Sequence, residues 1–175
     1  MSLFLFLKIF LWLSFGFIPL ATTGLPTLAA TLIWRLAANK TNDLSIKLAS
    51  FALSVLVPIT CVLLFVFHPS VGYGWWYSLY WLIPVGLYGI QAFGLLKKSV
   101  LAIAISSTFV AHAVGSVIWC CLVPMSPEQW LALIPLVAVE RFVFAAGMTV
   151  LYHAGVLASS LFSSTLVLGL KKRFG

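Results

Sequence analysis

The chain has 175 residues, of which 63% are hydrophobic and 7% charged, with 10 Lys and Arg against 3 Asp and Glu and a formal net charge of +7. A soluble domain covers its surface with roughly a quarter charged residues, so a mean hydropathy of +1.16 excludes a water-soluble globule and points to lipid as the solvent. Apolar runs long enough to cross about 30 Å of hydrocarbon recur without alternation, which selects helices over a barrel. The expected fold is therefore all-α: one polytopic integral membrane domain, residues 1–175, built as a bundle of about six transmembrane helices.

The first span is expected over 2–20. It could pass for a signal peptide, but Lys8 lies inside the apolar stretch and no Ala-x-Ala site follows Pro19-Leu20-Ala21-Thr22-Thr23, so a retained segment is expected. Thr22, Thr23, Gly24 and Pro26 mark a turn, and a short second span follows over 26–38. The two make a tight, tilted hairpin or, alternatively, one long kinked helix that would leave five spans. Asn39 to Asp43 form a polar loop. The third span covers 44–67, with Pro58 as a kink. His68 to Gly74 form the next loop. The fourth span covers 75–96, opening on the interface belt Trp75-Trp76-Tyr77. The fifth covers 99–122. Pro124 to Glu128 break the pattern, and Ser126 and Pro127 start a short interfacial helix over 127–137. The sixth span covers 139–165.

Arg35, Lys40, Lys47, Lys97, Lys98, Lys171, Lys172 and Arg173 then fall on one side and Arg141 on the other. The positive-inside rule makes the basic side cytoplasmic. The expected localisation is the cell membrane, multi-pass, with both the N- and C-termini in the cytoplasm. The net charge is read as topological anchoring, with no nucleic acid among the partners. Cys61, Cys120 and Cys121 show no metal-ligand spacing and read as packing residues.

Polar groups inside a membrane are expensive and therefore candidate sites. His112 lies about 15 Å from the outer end of the fifth span and His153 about 21 Å from the outer end of the sixth. Thr108, His112 and Ser116 share one helical face, and Thr149 and Ser160 accompany His153. These two faces suggest a polar pocket between the last spans; the bland alternative is two structural hydrogen bonds. A stripe on the fourth span, Tyr77, Trp81, Pro84, Tyr88 and Gln91, offers a third wall suited to a small, flat, partly apolar ligand. Arg141 sits at the pocket mouth, where it holds an anionic ligand or snorkels to headgroups. Its neighbour Glu140 is not expected to pair with it, because adjacent helical residues do not face each other. Ser107, Ala111 and Gly115 form a small-residue face for close helix packing. No midplane carboxylates, metal set or nucleotide loop is present, so no enzyme, cofactor or metal is expected.

The plan as a whole, with its length, six spans, cytoplasmic ends, short first hairpin and outer helix before the last span, resembles the substrate-binding S components of energy-coupling-factor vitamin transporters. The resemblance implies a transport subunit that binds a small solute near the outer face and docks by small-residue surfaces onto a membrane coupling subunit. Ala29, Ala30, Ala37 and Ala38 on the second span would be such a surface. The expected function is a transport subunit with its pocket between the last three spans. The alternatives are a structural or assembly protein without a ligand and, more distantly, an intramembrane enzyme. The expected partners are the lipid bilayer, a small solute, and a coupling subunit or a second copy of the chain.

Overall fold

The computed structural model describes residues 16–39 and 43–174, with side chains as far as residue 162. Residues 16–38 wind as one continuous helix: a π-helical turn, Leu20–Gly24, runs directly into α1, Leu25–Ala38. The turn expected at Thr22 to Pro26 is absent, and the spans expected over 2–20 and 26–38 are not separated there. The reason is local. Pro26 has no N–H, and its ring crowds the carbonyl four residues back; the wider turn just before it absorbs this misfit without breaking the helix. The threonines that read as loop residues satisfy themselves inside the helix. Thr22 donates to Ile18 O at 2.8 Å and Thr27 to Thr23 O at 2.7 Å.

The same device recurs in α2, Leu44–Val66, where a second π-helical turn, Ala52–Leu56, precedes Pro58. Asp43 caps this helix by accepting from Ser45 N at 2.9 Å. The next stretch is not one α-helix over 75–96. A 3₁₀ helix of 11 residues, Gly72–Leu82, leads into α3, Ile83–Ala92, and Gly94 at φ 72° turns the chain away. Gly74 lets the 3₁₀ helix lie close against Pro127: a Cβ there would meet Pro127 Cα and O at 3.1 Å and push that backbone back.

Helix α4 spans Val100–Leu122, capped by Ser99. Helix α5 spans Pro127–Phe174. The expected interfacial helix over 127–137 and last span over 139–165 are thus one element. Nothing between Val137 and Val139 breaks helical hydrogen bonding, and the run Ala138, Glu140 and Arg141 propagates a helix well.

Among the described residues every regular element is helical, and three helices are long and apolar enough to cross a membrane: Leu44–Val66, Val100–Leu122 and Pro127–Phe162. Helix α4 is the central one. The other helices pack on it, and half of its apolar stretch is buried, against 17% for α2 and 11% for α5. An aromatic knot pins the 3₁₀ helix between the end of α2 and the start of α5. Phe65 meets Trp81 at 5.1 Å and Trp130 at 4.9 Å, and Tyr77 meets Trp130 at 4.9 Å. The Tyr73 hydroxyl donates to the Glu128 carboxylate beside this knot.

Candidate functional site

A groove of about 860 Å³ runs between the N-terminal helix, α4 and α5. Its floor is the α4 face that carries Thr108, Ala111, His112, Gly115 and Ser116. The small residues of this face let the N-terminal helix come close: a Cβ on Gly115 would lie 3.4 Å from Pro26 Cγ. One wall is Thr22, Thr23, Pro26 and Thr27. The other includes Val137, Arg141, Phe144 and Met148.

The polar centre of the groove is a cluster of three side chains. His112 Nε2 lies 2.8 Å from the Tyr77 hydroxyl and 3.3 Å from Ser116 Oγ, and the two hydroxyls are 3.4 Å apart. With its proton on Nδ1, His112 accepts from the Tyr77 O–H. The imidazole is set among aromatic rings, with centroids 5.8 Å from Tyr77, 6.2 Å from Tyr80 and 6.5 Å from Trp81.

Among the described residues, Arg141 supplies the only charge on the groove lining. Because α5 begins at Pro127, Arg141 lies about 21 Å along its helix, and His112 lies about 15 Å from the Leu122 end of α4; both line the groove. The Arg141 side chain is 15% exposed, and its terminal nitrogen reaches Glu140 Oε2 at 3.0 Å. This pair corrects the expectation that the two neighbours would stay apart: the arginine is long enough to fold back, and among the described residues no other ion pair is formed. The guanidinium carbon sits 4.8 Å above the Phe144 ring, and Nε is buried without a partner.

The other expected site residues go elsewhere. His153 is exposed on α5, its ring against Tyr152 at 5.5 Å. Thr149 donates to Ala145 O at 2.8 Å within its own helix. The expected pairing of His112 with His153 does not form. Starting the helix at Pro127 rather than Val139 moves every residue of α5 twelve positions, or about 18 Å, further from its start, and it is Arg141 rather than His153 that shares the groove with His112. Trp81 is fully buried beneath the groove and supports His112 rather than lining the cavity. Tyr88 and Gln91 line a second cavity, of about 730 Å³, together with Lys47 and Lys98. The stripe assumed one winding from Tyr77 to Gln91, whereas the change from 3₁₀ to α after Leu82 breaks it.

Sequence reasoning missed the wall built by Thr22, Thr23, Pro26 and Thr27. The signal was present as Thr23, Thr27 and Thr31, each four residues from the next, a helical rather than a turn pattern. Among the described residues no group of His, Cys, Asp and Glu side chains could hold a metal ion. Compared with known proteins, the chain matches no family model, no curated protein and no solved structure.

Proposed function

We propose that the protein is a solute-binding subunit of a membrane transport system, and that the groove between the N-terminal helix, α4 and α5 holds a small amphipathic molecule with one anionic group. The observation that carries this reading is Arg141: a guanidinium 15% exposed, its Nε unpartnered, in a groove whose other described lining residues are apolar, hydroxyl and imidazole side chains. A charge inside a membrane is costly and tends to mark a ligand path. Glu140 and the Phe144 face offset part of that cost, and an anionic head would offset more. The apolar walls would bury the body of the ligand, while Tyr77, His112 and Ser116 would orient its polar end. Binding is favoured over hydrolysis. Ser116 lies 3.3 Å from His112, but it sits mid-helix, where backbone N–H groups are already committed and cannot form an oxyanion hole.

Three described helices are long and apolar enough to cross a membrane; on our reading the N-terminal helix and the 3₁₀ helix with α3 add two more crossings, which would put Arg35, Lys47, Lys97 and Lys98 at the cytoplasmic ends. The N-terminal helix then starts at Gly16 on the outer side. The S-component plan, in which partners supply the energy, remains the transport model that fits a chain without a nucleotide loop.

The test uses the purified protein in neutral detergent with decanoate, decanol and a decyl-trimethylammonium probe, read by thermal unfolding and native mass spectrometry. Decanoate should bind best. Arg141→Met should weaken it roughly 10- to 100-fold, the worth of a hydrogen bond to a charged group, and His153→Ala should leave it unchanged. Equal responses to all three probes, unaltered by Arg141→Met, would favour the ligand-free structural protein instead.

A further inference from the structure

The second cavity, at the opposite end of α4, has a different chemistry. Four helix ends converge on it: Ala37 near the end of α1, Lys47 one turn into α2, Gln91 at the end of α3, and Lys98 and Ser99 at the start of α4. Two ammonium groups therefore share one cavity with the polar side chains of Ser54, Tyr88 and Gln91. Among the described residues no carboxylate lines it. The nearest acid in sequence, Asp43, is turned to Ser45 N as the cap of α2, and among the described residues the one ion pair is that of Arg141 with Glu140. The start of α4 adds the positive end of a helix of 23 residues. Leu36, Leu53 and Ile103 line the same cavity and offer apolar surface next to the charges.

We infer that this cavity is a binding site for a phosphate group, carried by the headgroup of an anionic lipid whose chains follow the apolar lining. Lysine suits this role. It is a compact point charge that binds phosphate without a fixed fork geometry, and basic pockets between helices at the cytoplasmic face are where acidic headgroups are held. Hydroxyl and amide donors satisfy the remaining phosphate oxygens. This site is independent of the groove: none of its lining residues reaches that cavity.

The experiment is native mass spectrometry of the full chain from neutral detergent, supplied with phosphatidylglycerol, phosphatidylcholine or inorganic phosphate, alongside thermal unfolding. Wild type should retain phosphatidylglycerol at least 10-fold better than phosphatidylcholine. Lys47→Gln with Lys98→Gln should abolish that preference. Lys47→Arg with Lys98→Arg should keep it, which separates loss of charge from loss of fold. Lys171→Gln with Lys172→Gln, an equal loss of charge elsewhere, should also keep it. If inorganic phosphate stabilises wild type and not the glutamine pair, with no preference between the lipids, the same site serves a free phosphate. Equal retention of both lipids by wild type with no response to phosphate, or equal loss in both glutamine pairs, would overturn the assignment and reduce it to general attraction of anions to a basic protein.

Discussion

Two neighbouring serines on α4 open onto different cavities. Ser106 lines the basic-end cavity and Ser107 the groove, and Trp34 donates to Ser107 Oγ at 3.1 Å. The comparison shows that the position of a cation along its helix decides what it can do. Lys47 and Lys98 sit at helix ends, where an ammonium is already near water and headgroups. Arg141 sits well inside α5, where its guanidinium finds Glu140 and the Phe144 ring but leaves Nε buried without a partner. The supports differ as well. The groove is braced by aromatic packing through Tyr77, whereas the basic-end cavity depends on two helix caps, Asp43 and Ser99.

The hardest test of this division is Trp130→Ala. Trp130 is 1% exposed and packs on Phe65 and Tyr77. Its truncation should cost about 3–5 kcal/mol and loosen Tyr77 from His112. Leu136→Ala, on the lipid side of the same helix at 63% exposed, should change stability by no more than about 0.5 kcal/mol. Thermal unfolding measures both. In the protein that remains folded, phosphatidylglycerol retention at Lys47 and Lys98 should survive while decanoate binding falls. A joint loss of both would mean that the two cavities are one mechanical unit.

How much of this could be read beforehand depended on whether local rules met opposition. The face of Thr108, His112 and Ser116 is a matter of spacing on a long helix, and all three do line the groove. The winding of residues 72–82 was not legible, because the 3₁₀ geometry is stabilised by contacts distant in sequence, Gly74 on Pro127 and Tyr77 on Trp130. Thr22 to Pro26 carry every mark of a turn, yet hydroxyl bonding to carbonyls four residues back and a widened turn keep them helical. The division of α5 was expected after Val137, yet neither that point nor Pro135 just before it ends the helix. One different helix start was enough to change the place of both Arg141 and His153 along α5.

A finer test separates the members of the groove's polar cluster. Tyr77→Phe removes the hydroxyl that bonds His112 and contacts Ser116 and leaves both without their shared partner. The cost should be about 1–2 kcal/mol. Ser116→Ala keeps the 2.8 Å bond and should cost under about 1 kcal/mol. A double-mutant cycle by thermal unfolding measures their coupling. Additive effects would show that Tyr77 and Ser116 act separately on His112, and decanoate binding would then respond to Tyr77→Phe alone.

The smallest effect belongs to the cap at the other cavity. The Asp43 carboxylate accepts first from the Ser45 backbone N–H and then from the Ser45 hydroxyl, and these bonds hold its pKa below its ordinary value of 3.8. A depressed folded-state pKa contributes stability that is fully present above the unfolded value and is lost as pH falls through the folded one. The thermal midpoint attributable to Asp43 should therefore be flat from pH 7 to about 4 and decline only below that. The difference between wild type and Asp43→Asn isolates this residue from Glu128 and Glu140, because asparagine is a comparable cap that does not titrate. The two proteins should agree near neutral pH and diverge only in acid, with Asp43→Ala lower throughout. Since Asp43 does not line the basic-end cavity, none of these changes at neutral pH should alter phosphatidylglycerol retention. If Asp43→Asn raised it, the acid would be acting as a competitor for Lys47, and the cavity's charge would be less open to phosphate than its lining implies.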